Sequence, residues 1–153
     1  MWGVLCSNCL VLRGWRRVAA RGAGTVGSRP GDGDAFLLKA QEFLEAVEDA
    51  VGRGNHTAAV GNAVHAVISA ADAVVSVRLG ERWRGEHFGA VDHVAGAGEE
   101  GRICADSLRR VLPLKTEAEY DPAPLSSSKV TRAVRAARSA VVAAERVVAQ
   151  SHR

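Results

Sequence analysis

A long apolar stretch interrupted by regularly spaced polar residues sets the first constraint on this chain. From Thr57 to Val77 most positions are Ala, Val, Ile or Gly, yet Asn62, His65, Ser69, Asp72 and Ser76 recur at steps of three and four. That spacing stacks the five side chains on one stripe of a helix. The rest of the circumference, with Val60, Val64, Val67, Ile68, Ala71, Val74 and Val75, needs apolar neighbours on most sides. Burying Asp72 or His65 unpaired costs several kcal/mol. The stripe is therefore expected to bond within itself, to Lys115 or Tyr120, or to neighbouring backbone. The alternative is that it floors a small-ligand or nucleotide pocket.

The same pattern predicts the other elements. After Asp34, a natural N-cap, a first helix puts Phe36, Ala40, Phe43, Leu44, Val47 and Val51 on one face and Lys39, Glu42, Glu45 and Asp49 opposite, with Gly52 and Gly54 ending it. A polar stretch around Arg82 leads to a third helix over Phe88–Ala95, which Gly96 and Gly98 interrupt. A fourth is expected over Glu99–Leu112 and closed by Pro113. Lys115 to Ser128 begins with a possible helical turn and becomes a loop through Pro122 and Pro124. Ser127 or Ser128 caps a last helix whose Val130, Val134, Ala137, Val141, Ala144 and Val148 form an apolar stripe. The first helix is acidic, whereas residues 127–153 carry six Lys and Arg against Glu145 alone, which favours their adjacency. No strand-like alternation and no repeat stand out. The expected fold is all-α, an antiparallel up-and-down bundle of four to five helices.

Composition refines this. At 153 residues, 47% hydrophobic and 5% aromatic, the chain is one domain's worth of Ala- and Val-rich packing. Its net charge of +3 suggests nucleic acid until its distribution is read. Residues 1–31 hold five arginines and no acid, and the remaining 122 hold 15 basic against 17 acidic side chains. The basic excess thus belongs to the first 32 residues, which read as a disordered leader or a misassigned start, with the domain at 33–153. The leader's apolar run is too short to span a bilayer. Cys6, Cys9 and Cys104 make neither a disulfide framework nor a zinc site, so a cytoplasmic protein without a membrane partner is expected. No metal and no cofactor are expected. His65 and Asp72 lie seven apart, about 10 Å along a helix, too far for one ion to bridge.

Several residues carry candidate chemistry. Trp83 and Phe88, beside arginines in a polar turn, suit a contact surface or fold back onto the bundle. His87 and His93 read as separate surface residues, because six helical steps rotate them about 240° apart. Arg82 and His87 are a candidate catalytic pair. A histidine can move a ribose hydroxyl proton, and an arginine can stabilise charge developing on phosphate.

The order of these features resembles the HEPN domain (higher eukaryote and prokaryote nucleotide-binding), in particular small actinobacterial HEPN-like proteins. The residues that carry it are Asn62–Asp72 in the second helix, the Gly85–His87 turn, Lys115, Ala118 and Tyr120 after the fourth helix, and the long Ala/Arg helix that follows. The resemblance covers about residues 34–150. It implies a helical bundle working as a homodimer or with a small partner protein, and in many members a toxin ribonuclease paired with an antitoxin. The family's arginine–histidine motif sits late in the domain, whereas Arg82 and His87 fall between the second and third helices. The resemblance therefore implies a non-catalytic nucleotide-binding or protein-interaction module first. The alternative is a metal-independent ribonuclease using Arg82 and His87 on RNA.

Overall fold

The computed structural model describes residues 24–153. Residues 1–23, with Cys6, Cys9 and most of the expected leader, lie outside the described residues. Five helices follow a short strand: β1 (Thr25–Gly27), α1 (Asp32–Gly52), α2 (His56–Arg78), β2 (Glu81–Trp83), α3 (His87–Ala95), α4 (Gly98–Tyr120) and α5 (Ser127–Ser151). The all-α bundle expected from the periodicity is what forms.

The centre is α2, which packs on α1, α4 and α5. Its Ala59, Val60, Ala63, Val64, Ala66, Val67, Ala70, Val74 and Val75 are all at most 1% exposed. Alternating Ala and Val lets neighbouring helices approach closely on three sides. By length and composition α2 would pass for a membrane span, but 67% of its apolar window is covered by the rest of the fold, as expected of a core helix. The first and last helices are adjacent, joined by Arg138 to Glu48 at 3.0 Å and by Gln41 Nε2 donating to Glu145 at 2.9 Å.

Five local expectations change. The first helix begins at Asp32 with Gly31 at its N-cap, so Asp34 lies in its first turn and is not the cap. The fourth helix does not stop at Pro113 but runs to Tyr120. The ring lacks an N–H for the carbonyl four residues back, yet continuing the helix buries Leu114 and Ala118, 3% and 8% exposed, and Pro113 itself faces solvent. The last helix is capped by Ser126, whose Oγ accepts the Lys129 N–H, not by Ser127 or Ser128. His93 is not a surface residue: it is half-buried, with Nε2 enclosed. Thr25–Gly27, read as leader, pairs antiparallel with Glu81–Trp83, Val26 opposite Arg82.

That small sheet serves one side chain. The Trp83 indole lies against Gly24, Gly85 and Gly89, where an added Cβ would come within 3.0, 3.1 and 2.8 Å of the ring. Its Nε1 donates to the Glu86 carbonyl at 3.0 Å. Trp83 thus folds back onto the bundle, while Phe88 remains 64% exposed.

Candidate functional site

Successive turns of α2 carry the polar stripe from one end of the bundle to the other. At its C-terminal end Ser76 accepts a hydrogen bond from the Ser28 hydroxyl at 2.9 Å. At its N-terminal half His65 is exposed and stacks on Phe43 of α1, ring centroids 5.1 Å apart. Asn62 is half-buried and Ser69 buried. No side-chain hydrogen bond joins Asn62, His65, Ser69 and Asp72 to one another, to Lys115 or to Tyr120 among the described residues. The stripe is therefore not closed on itself.

Asp72 is the centre of what it forms instead. It lines a cleft with Ile68 and Ala71 of α2, Trp83 of β2, His87, Ala90 and Val94 of α3, and Leu108 of α4. The free space is about 40 Å³, room for roughly two to three waters. The Asp72 carboxyl has no hydrogen-bond or ion-pair partner among the described residues. Burial pushes its pKa from 3.8 up to about 6, against the opposing pull of Arg82 and Lys39. His87, at the start of α3, is shifted the other way. Burial lowers its pKa, the nearby Lys115 and His65 lower it further, and Glu86 opposes them. One cleft thus holds a carboxyl that keeps its proton into the mildly acid range and an imidazole held neutral.

Three cations act on these two groups, Lys39 and Arg82 on Asp72 and Lys115 on His87. Lys39 comes from α1, Arg82 from β2 and Lys115 from α4, and none forms an ion pair among the described residues. Adjacent strand residues point to opposite faces. Trp83 enters the cleft, and the Arg82 guanidinium instead lies 5.2 Å above the Phe36 ring. Arg82 Nε is buried with no hydrogen-bond acceptor. His93, 6.0 Å from Trp83 between ring centroids, likewise leaves Nε2 buried without a partner.

The residues singled out in the sequence thus divide. Asp72, Trp83 and His87 share the cleft, and His65, Arg82 and Lys115 are close enough to act on its charges. Arg82 acts on Asp72, and Lys115 and His65 on His87. Tyr120 stands apart, 78% exposed at the end of α4 over a shallow depression with Thr116, Asp121, Pro122 and Lys129. Phe88 projects outward beside His87. Lys39, expected on the solvent face of α1, is exposed there, yet its charge reaches Asp72, a coupling that the sequence of α1 does not announce.

The arrangement can hold an anionic group at the rim and place a proton donor and acceptor next to it. No group of three His, Cys, Asp or Glu among the described residues is placed to hold a metal ion. No family model, curated protein or solved structure matches the chain.

Proposed function

We propose that this chain is a non-catalytic binding module for a phosphate-bearing ligand, a nucleotide or a short segment of RNA, on a HEPN-like bundle. The observation that carries the reading is the cleft that holds Asp72 and His87, near enough to Lys39 and Arg82 on one side and Lys115 on the other for their charges to act on it, with none of the three in a salt bridge among the described residues. Asp72 balances only part of this positive charge, and an anion at the rim can balance the rest. Exposed Phe88, next to His87, suits contact with a small partner protein, as in a toxin–antitoxin pair. Such a module belongs in the cytoplasm.

Calorimetric titration of the full chain with AMP, GMP and a short single-stranded RNA tests this. Saturable binding of one ligand per chain is expected, weakened about tenfold by Lys39→Ala or Lys115→Ala. No binding at millimolar ligand and low salt overturns the reading.

A second reading, a metal-independent ribonuclease, is favoured by His87 itself. A neutral imidazole in a cleft can take a proton from a ribose hydroxyl, and Arg82 would stabilise the phosphate. Cleavage of RNA in chelator, lost in both Arg82→Ala and His87→Ala with helicity retained, selects it.

A further inference from the structure

The solvent faces of α1 and α5 carry charge patterns that are complementary to each other and largely uncompensated within one molecule. On α1, Leu38, Glu42, Glu45 and Asp49 follow at steps of four, three and four, opposite the buried Ala40, Val47 and Ala50. All four are exposed, Leu38 to 59%, and none of the three acids is ion-paired among the described residues. On α5, Arg132, Arg135, Val142 and Arg146 form the equivalent stripe, opposite Val130, Ala137 and Val141. These are exposed too, Val142 to 44%, and the three arginines have no ion pair. Arg110 of α4 joins Arg132 and Arg135 in lining one groove.

Like charges three and four residues apart weaken the helix that carries them. On α1 Glu42, Glu45 and Asp49 bear this, and on α5 Arg132 and Arg135 do, so something that covers the stripes would relieve it. The two helices are neighbours, joined by the Glu48–Arg138 pair between the stripes. An acidic and a basic stripe therefore lie side by side on one face of the bundle.

We propose that this face is a self-complementary interface for a second copy of the chain. A two-fold axis running along the α1–α5 seam lays the acidic stripe of each protomer on the basic stripe of the other. Each contact is then made twice, as an isologous interface requires. Leu38 and Val142 supply an apolar point on each stripe. Helices of 21 and 25 residues, about 30 Å or more in length and about 10 Å apart, offer about 600 Å² per protomer. The total of about 1,200 Å² sits at the lower edge of specific interfaces. With charges rather than large apolar groups dominating, the dimer is weak and salt-sensitive.

Sedimentation velocity of the full chain tests this at about 50 mM and about 500 mM NaCl. A concentration-dependent dimer is expected at low salt, dissociating at high salt. E42K/E45K and R132E/R135E should each raise the dissociation constant about tenfold or more. Mixing these two variants should restore association, because each then offers to the other the charges it lacks for itself. The exposed positions leave the core untouched, and equal thermal melting of the variants checks this. A monomer throughout at low salt overturns the proposal. So does a dimer indifferent to both charge reversals but lost in Phe88→Ala, which would move the interface to α3. A monomer whose R132E/R135E variant loses retention on an RNA column also overturns it, and assigns the basic stripe to nucleic acid.

Discussion

Asp72→Asn should make this protein more stable, and only above mildly acid pH. In the folded state burial raises the Asp72 carboxyl from 3.8 to about 6. The native form then binds that proton more tightly than the unfolded chain does. Stability from this group is fully present below about pH 4 and is lost as pH rises through about 6. The displacement corresponds to about 3 kcal/mol at neutral pH. Asparagine removes the charge but still buries an amide, which costs about 1–2 kcal/mol of that. A net gain of about 1–2 kcal/mol remains near pH 7.5, or roughly 3–8 °C in melting temperature. Near pH 4.5 most of the gain disappears, because Asp72 is already protonated there. Calorimetric melts of both proteins at the two pH values measure this. The His87 titration occurs in both and cancels in the comparison to first order. Equal shifts at the two pH values would refute the claim that ionising Asp72 opposes folding. A larger loss at pH 7.5 than at pH 4.5 would show that Arg82 and Lys39 outweigh burial.

Three further outcomes follow from the geometry. The imidazole of His87 should titrate by NMR with a midpoint below 6.5, set first by burial and then by Lys115. Lys115→Ala should raise that midpoint, and an unmoved midpoint would remove Lys115 from its surroundings. Gly101→Ala would put a Cβ 2.3 Å from the Val94 carbonyl oxygen, a backbone atom that cannot rotate away. A loss of about 2–3 kcal/mol in denaturant unfolding is expected, and a near-neutral variant would mean that the α3–α4 corner yields. Pro113→Ala restores an N–H to a solvent-facing turn of α4 and should stabilise by about 1 kcal/mol or more. Destabilisation there would mean that the ring is needed to shape the helix.

The bundle was legible because its signal is local. Apolar spacing on α2 and α5 specifies which faces are buried, whatever their neighbours are. Helix α4 was misjudged at Pro113 because a breaker acts through one lost hydrogen bond, whereas Leu114 and Ala118 gain from burial that only the tertiary structure supplies. The β1–β2 pair was invisible for a related reason. Three-residue strands carry no alternation to detect, and they exist to seat Trp83 among glycines from three separate segments. In the site, the α2 stripe announced Asp72 and His65. Lys39 could not be assigned from its own helix, since its role depends on Asp72 of the next one.

Whether the cleft is a site or a by-product of packing turns on where the unsatisfied groups sit. Away from it, polar side chains near the core find partners. His56 Nδ1 meets the Leu125 carbonyl at 3.0 Å, Ser76 meets Ser28, and Arg78 reaches both Glu100 and Gln150. Around the cleft, Arg82 Nε and His93 Nε2 are enclosed with none, and the half-buried Asp72 carboxyl has none among the described residues. A fold selected for stability alone would be expected to scatter or remove such defects, since each costs about 1–3 kcal/mol. Their concentration near Lys39, Arg82 and Lys115 is what a binding function predicts, because a ligand supplies partners only when it is bound. Asp72 ionised at neutral pH repels a phosphate, so ligand binding and Asp72→Asn should favour each other. The variant is expected to hold AMP or GMP more tightly near pH 7.5, and the difference should narrow as wild-type Asp72 takes up its proton. Weaker nucleotide binding by Asp72→Asn at every pH would instead mean that the carboxyl itself contacts the ligand.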